Sequence, residues 1–221
     1  MKHRELLRFT LLGDGSSDRA LLPVLSWLIR DIAGNVPLDP QWADLDQSPP
    51  SERTLRHRVR KALEYYPCHL LFVHRDAERP DAADLRVEQI RHACRGLEDR
   101  NPELRFVCVI PVRMTEAWLL IDESAIRRAA GNPQGRIILN LPPIRQMESV
   151  HAKEMLHQAI RDASELTGRK AKKLEVSRAI HDVANFIEDF RRLDHLSSFS
   201  RLREELSAKL HSLGLRGTNR R

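Results

Sequence analysis

The sequence predicts an α/β protein with a mostly parallel central sheet, helices on both faces and a helical C-terminal subdomain. Three observations lead there. Short apolar runs at 9–12, 69–73 and 104–112 alternate with longer stretches whose apolar residues recur at helical spacing. The run at 104–112 is apolar almost throughout, as a strand covered on both faces must be. From about Gly131 the strand-like runs give way to helical stripes, which divides the chain into residues 1–130 and 131–221. Strands alternating with helices call for βαβ units joined right-handedly.

The first strand holds Phe9, Leu11 and Leu12. Gly13 and Gly15 then allow a sharp turn, and Ser16 or Ser17 can cap the helix that follows. Leu21, Leu22, Val24, Leu25, Leu28, Ile29 and Ile32 make that helix apolar on much of its circumference. Pro23 should kink it or mark a delayed start, and Gly34 should end it. The Pro-rich segment 35–50 has room for one short strand at 36–38. Ser51 is the expected cap of a second helix, with Leu55, Val59, Ala62, Leu63 and Tyr66 as its core stripe. Helices are also expected at 84–97 and from Thr115, the latter as the N-cap of E-A-W-L-L-I-D. Turn clusters G-N-P-Q-G and L-P-P follow, with a last strand-like run at 136–139. Three helices close the chain, as a subdomain or as a cover on the sheet, and residues 214–221 read as a frayed basic tail.

Hydrophobic residues make up 41% of the chain and charged residues 31%, the balance of a soluble globular protein. No apolar run approaches the ~18 residues of a membrane span, and the N-terminus lacks a long apolar signal segment, so a cytoplasmic chain is expected. Cys68, Cys94 and Cys108 form no C-x-x-C pair and read as buried thiols. Charge is uneven: residues 1–150 hold 22 Lys/Arg against 21 Asp/Glu, and residues 151–221 hold 15 against 10. A basic C-terminal third suits a polyanionic partner, or simply a well-solvated helical surface. The same pair of readings applies to Arg53, Arg56, Arg58, Arg60 and Lys61 on the second helix, and to Lys170, Lys172 and Lys173 in G-R-K-A-K-K.

Three predicted strand ends carry carboxylates: Asp14 after the first, Asp76 and Glu78 after the second, Glu116 after the third. In an open α/β sheet ligands bind at that edge. Residues two apart in an extended segment point the same way, so Asp76 and Glu78 can face one ion. Four converging carboxylates repel unless a cation neutralises them, and Mg²⁺ or Mn²⁺ prefers oxygen ligands. The plainer reading of Asp14 and Asp18 is that they favour the positive end of the helix dipole.

With these residues in view, the sequence resembles the Toprim family, the catalytic domain of topoisomerases, bacterial primases and OLD-type nucleases. L-L-G-D-G-S-S-D-R is similar to its first motif, with Asp14 where glutamate is usual and Asp18 four residues on. F-V-H-R-D-A-E is similar to its D-x-D motif, with Asp76 and Glu78. V-R-M-T-E-A-W-L-L-I-D resembles the third acidic motif of a Toprim-like group often encoded beside ATPases in phage-defence loci. The resemblance covers about residues 7–125. It implies a Rossmann-like sheet and Mg²⁺- or Mn²⁺-dependent phosphodiester cleavage of DNA or RNA. Asp14 would serve as general acid or base, with Asp14, Asp76, Glu78 and Glu116 about the metal, Glu116 catalytic and Asp18 in support. An ATPase partner in bacterial anti-phage defence is implied with it.

Lys153 is a candidate for stabilising a cleaving phosphate, or a solvated helix end. H-R-D at 74–76 lacks the D-F-G and Gly-rich loop of a kinase, and no Walker A motif or zinc spacing is present. The ten histidines read mostly as surface or structural. Trp27, Trp42 and Trp118 are too widely spaced for a base-stacking platform. The alternative function is a non-catalytic nucleic-acid-binding or regulatory subunit on the same fold. A phosphotransferase with a different D-x-D site is a third. A homo-oligomer is compatible with the sequence.

Overall fold

The computed structural model describes residues 6–45, 54–112 and 114–215. Ser51, Arg53 and the tail from 216 onward lie outside them. The sheet comprises β1 (Leu7–Leu12), β2 (Leu38–Trp42), β3 (Leu70–His74) and β4 (Arg105–Val109), all parallel, in the order β2-β1-β3-β4. Helices follow as α1 (Leu21–Ala33), α2 (Leu55–Tyr65), α3 (Ala83–Cys94), α4 (Leu97–Arg100), α5 (Glu123–Ala129), α6 (Ala152–Ser164), α7 (Gly168–Lys172), α8 (Val176–Phe186) and α9 (Ser197–Ser212).

The register explains why both faces are apolar. Phe9 pairs with Leu70 and Leu11 with Phe72, and Phe72 with Val107, so these residues share one face. Together with α1 and the C-terminal helices they form one continuous core, with the Phe9 and Phe72 rings edge-on at 5.4 Å. Leu12, Leu71, Val73 and Cys108 point the other way, into a second core with Val59 and Ala62 of α2 and Val87 and Ile90 of α3. The helical region from α6 onward therefore covers the first face. Trp118 is fully buried there, edge-on to Phe199 of α9 at 5.3 Å and donating its indole N–H to Ser198 Oγ.

Several boundaries differ from the expected ones, each for a local reason. A 3₁₀ turn at Ser16–Ala20 precedes α1, so the helix starts late and Pro23 falls in its first turn, where a missing N–H costs nothing. Gly34 ends the helix at φ 75°. The short strand runs from Leu38 to Trp42 rather than 36–38. The bonds Leu7 N–H to Pro37 O and Ala43 N–H to Leu11 O assign its odd residues to β1, which leaves Pro40 on the outward set, where it breaks no rung. Thr54, not Ser51, caps α2 by accepting from His57 N–H. The helix expected over 84–97 stops at Cys94, because Gly96 is left-handed at φ 77°. Thr115 lies inside a 3₁₀ turn ending at Trp118 instead of capping a longer helix. Residues 136–139 are not a strand: Arg136 and Ile137 N–H groups donate to the Glu165 carboxylate instead of a ladder.

Among the described residues no helix is long and apolar enough to cross a membrane. Cys94 and Cys108 are buried free thiols and Cys68 is partly buried.

Candidate functional site

The chain leaves β1 to form β2 on one side, then returns to place β3 on the other. Helix α1, which follows β1, packs on one face and α3, which follows β3, on the opposite one, so the loops leaving β1 and β3 diverge. A crevice at the carboxyl ends of those two strands follows from this topology, and it is where ligands bind in open α/β sheets.

On the β1 side, Asp18 ties the turn together. Its Oδ2 accepts N–H groups from Asp14 at 2.8 Å and Gly15 at 3.1 Å, reaching back from the third position of the 3₁₀ turn. Burial pushes the Asp18 carboxyl up, but His74 and these backbone N–H groups outweigh it and leave the group below its ordinary range. Gly13 is needed for closeness: a Cβ there would stand 2.7 Å from Asp18 Cβ and 2.8 Å from the Trp42 ring. Gly15 has open space around it and an extended backbone, so the turn does not require glycine there. Ser16 and Ser17 lie inside the turn rather than capping it.

Asp14 projects from the same turn between two arginines. Arg58 Nη1 of α2 is 3.0 Å from its Oδ1, and Arg75 Nε is 2.8 Å from its Oδ2. Arg58 also donates to the Gly13 carbonyl.

On the β3 side, His74 is the fully buried last residue of the strand. Its Nδ1 faces the Val109 carbonyl at 3.1 Å, which makes Nδ1 the protonated nitrogen. That turns Nε2 toward Asp18 Oδ1 and Asp76 Oδ1, each 3.5 Å away, and toward the Thr115 hydroxyl at 3.4 Å. Burial lowers the imidazole's proton affinity, but Asp18 and Asp76 more than restore it, so His74 is raised above its ordinary value.

Asp76 is held between two rungs to β4, where Arg75 N–H donates to Val109 O and Ala77 N–H to Pro111 O. Its Oδ1 is buried and accepts no hydrogen bond. Burial pushes the carboxyl up to about 7; His74 opposes the rise, while the charges of Asp18, Glu116 and Asp14 add to it. Glu116, buried in the 3₁₀ turn after β4, thus acts on Asp76 through space.

Glu78 departs from this group. Its backbone is left-handed at φ 60°, so the extended alternation with Asp76 is broken. The side chain is exposed and stands 3.6 Å from Arg86 Nη2 of α3, while Arg86 Nε donates to the Asp76 carbonyl. The structure therefore gathers Asp14, Asp18, Asp76 and Glu116 and turns Glu78 to the rim. Lys153, Arg56, Arg60, Lys170, Lys172 and Lys173 are exposed, and among the described residues none has an ion pair with the acidic group.

Three residues at the centre had other readings in the sequence: His74 and Arg75 only as part of the H-R-D motif set aside as a kinase signal, and Arg58 only as one of the basic residues on the second helix. The signal for His74 was present, since two residues apart on a strand share a face and His74 precedes Asp76 by two. Arg58 is adjacent to Val59 of the core stripe, which aims it along the flank of α2 toward β1.

Among the described residues no three His, Cys, Asp or Glu side chains stand ready to enclose a metal ion. A cation here would have to rely on the carboxylates left over. Asp14 and Asp18 have their oxygens engaged, which leaves Asp76 Oδ1, without a hydrogen bond and 3.5 Å from His74 Nε2, and Glu116. Mg²⁺ is commonly held by one or two carboxylates with the remaining positions filled by water and phosphate.

These elements define a Rossmann-like α/β protein with an acidic, arginine-flanked crevice at the switch point of an all-parallel sheet. No family model, curated protein or solved structure matches the chain.

Proposed function

We propose that the chain is a divalent-metal-dependent nuclease of Toprim type, cleaving phosphodiester bonds of DNA or RNA, with an ATPase partner in bacterial anti-phage defence. The observation that carries this reading is the buried Asp76 Oδ1, which accepts no hydrogen bond and faces His74 Nε2 at 3.5 Å, with the charges of Asp18, Glu116 and Asp14 acting on it at the carboxyl edge of the sheet. Asp76 and Glu116 would hold Mg²⁺ or Mn²⁺, which supplies Lewis-acid polarisation of the phosphate and activation of water.

The chain's own residues have separate tasks. Arg58 and Arg75, steadied by Asp14, offer N–H donors to non-bridging phosphate oxygens. Hydrolysis joins a water oxygen to phosphorus, releases that water's proton, and breaks the bond to a sugar oxygen, which takes up a proton. Asp14, 44% exposed, is the carboxylate of the group that can exchange protons with the reacting oxygens and with solvent. His74 fixes Asp76 from beneath, its ring locked by Val109 O. Asp18 holds the turn that carries Asp14.

A second reading is a nucleic-acid-binding or regulatory subunit without catalysis. It is favoured by the engagement of both Asp14 oxygens by Arg58 and Arg75. Incubation of plasmid, single-stranded DNA and RNA with Mg²⁺, Mn²⁺ or EDTA separates the two, with and without the ATPase. The nuclease reading expects cleavage in metal alone, reduced at least ~100-fold in Asp76→Ala, as loss of several kcal/mol of transition-state stabilisation requires. Wild type that binds but cleaves nothing in either metal selects the subunit.

A further inference from the structure

A groove of about 760 Å³ lies between α1, α8 and the open edge strand β2. Its rim carries Arg19, Arg30 and His181, with Asn185 and Trp27 beside them and Pro40 of β2 at the edge. Among the described residues neither Arg19 nor Arg30 has a carboxylate within ion-pair distance. Glu188 is the only carboxylate among the described lining residues, and it stands 3.8 Å from Arg128. Burial, helped by the charge of Arg19 and opposed by Asp182, holds the His181 imidazole below its ordinary value. Two unneutralised guanidinium groups on one concave surface call for an anion.

We propose that this groove is the track for the sugar–phosphate backbone of a single-stranded polynucleotide entering or leaving the acidic crevice. Position argues for a strand over an acidic protein. Arg19 directly follows Asp18, so the groove's lining begins on the same 3₁₀ turn that holds the acidic loop. Shape argues the same way. The volume lies within the ~300–1,000 Å³ of clefts that hold small ligand units, and Arg19, Arg30 and Asn185 leave it open to solvent. Arginine provides planar, multiple donors suited to phosphate oxygens. Pro40 fits this use of the edge: it has no N–H to offer, so the outward side of β2 resists pairing with another strand and stays free.

The proposal rests on nucleic acid being the ligand of the crevice, and its test is kept apart from catalysis by working in EDTA. Binding of a short labelled single strand is measured by fluorescence anisotropy across a salt series. The proteins are wild type, Arg19→Ala/Arg30→Ala, Arg19→Lys/Arg30→Lys, and Lys170, Lys172 and Lys173 changed together to alanine. The alanine pair should bind roughly tenfold more weakly, with the salt slope reduced by about 1.4, the share of two phosphate contacts on a single strand. The lysine pair should bind close to wild type. Unlabelled strand should displace the probe, while inorganic phosphate, a mononucleotide and polyglutamate should do so only at far higher concentration. Wild-type affinity and slope in the alanine pair would overturn the proposal, as would displacement by polyglutamate at strand-equivalent charge. If the triple lysine variant alone loses binding, the track lies on α7 instead. Cleavage that persists while binding ignores Arg19 and Arg30 sinks the groove alone. Groove-dependent binding without cleavage sinks the nuclease alone.

Discussion

A Cβ at position 13 would meet Asp18 Cβ and Oδ2 at 2.7 Å and the Trp42 ring at 2.8 Å. None of these groups can retreat cheaply. Asp18 is buried and tied to two backbone N–H groups, and Trp42 closes the end of β2. Gly13→Ala should therefore cost about 1–3 kcal/mol, the range for overpacking, and lower the melting temperature by several degrees. Gly15→Ala, where the space is open, should change it little. A thermal melt of both variants checks the contrast. The sequence showed glycines flanking an acidic turn, but not which glycine was indispensable, because that depends on Trp42, 29 positions away. His74 was hidden for a related reason. A histidine at a strand end is ambiguous until the Val109 carbonyl fixes its tautomer, and that carbonyl belongs to the neighbouring strand.

Elements with a complete internal signal were legible. The apolar runs gave β1, β3 and β4, and the stripes gave α1 and α2. The three helices expected to close the chain are four, α6 to α9, because a short α7 and a 3₁₀ turn at Arg191–His195 break up the helical texture. Elements defined by partners were not. No apolar run marks L-D-P-Q-W, where only Leu38 and Trp42 are apolar, and its strand character comes from pairing with β1. The run at 136–139 has β-branched residues but finds Glu165 in place of a strand. The outer edge of β4 shows what such partners do. Glu205 of α9 accepts the Cys108 N–H at 3.3 Å, so a helix side chain closes a strand edge. Burial raises the Glu205 carboxyl above its ordinary value, against the pull of the Cys108 N–H, Arg91 and Lys209. A raised carboxyl binds its proton more tightly in the folded state. Its contribution is therefore complete below the unfolded value near 4.5 and is lost as pH rises through the folded one. Glu205→Gln keeps an acceptor and removes the buried charge. Urea unfolding should show the variant gaining on wild type at pH 8 relative to pH 4; the opposite trend would mean the charge is stabilising.

At the scale of the molecule, strand order decides where chemistry can sit. The order β2-β1-β3-β4 puts the β1 and β3 loops on either side of one crevice, and the acidic residues of both meet there. Much of that meeting was legible, since each carboxylate followed a predicted strand. Glu78 was not, because a left-handed residue breaks a period-two argument that assumes extended backbone. In the proposed reading the crevice takes a divalent cation through Asp76 and Glu116. Binding of Mn²⁺ by electron paramagnetic resonance tests it without reference to any substrate. Wild type should bind Mn²⁺ and release it to excess Mg²⁺, while Asp76→Ala and Glu116→Ala should each bind at least ~10-fold more weakly, within the usual effect of losing a ligand-shell group. Equal binding by all three proteins, or none by wild type, would contradict the claim.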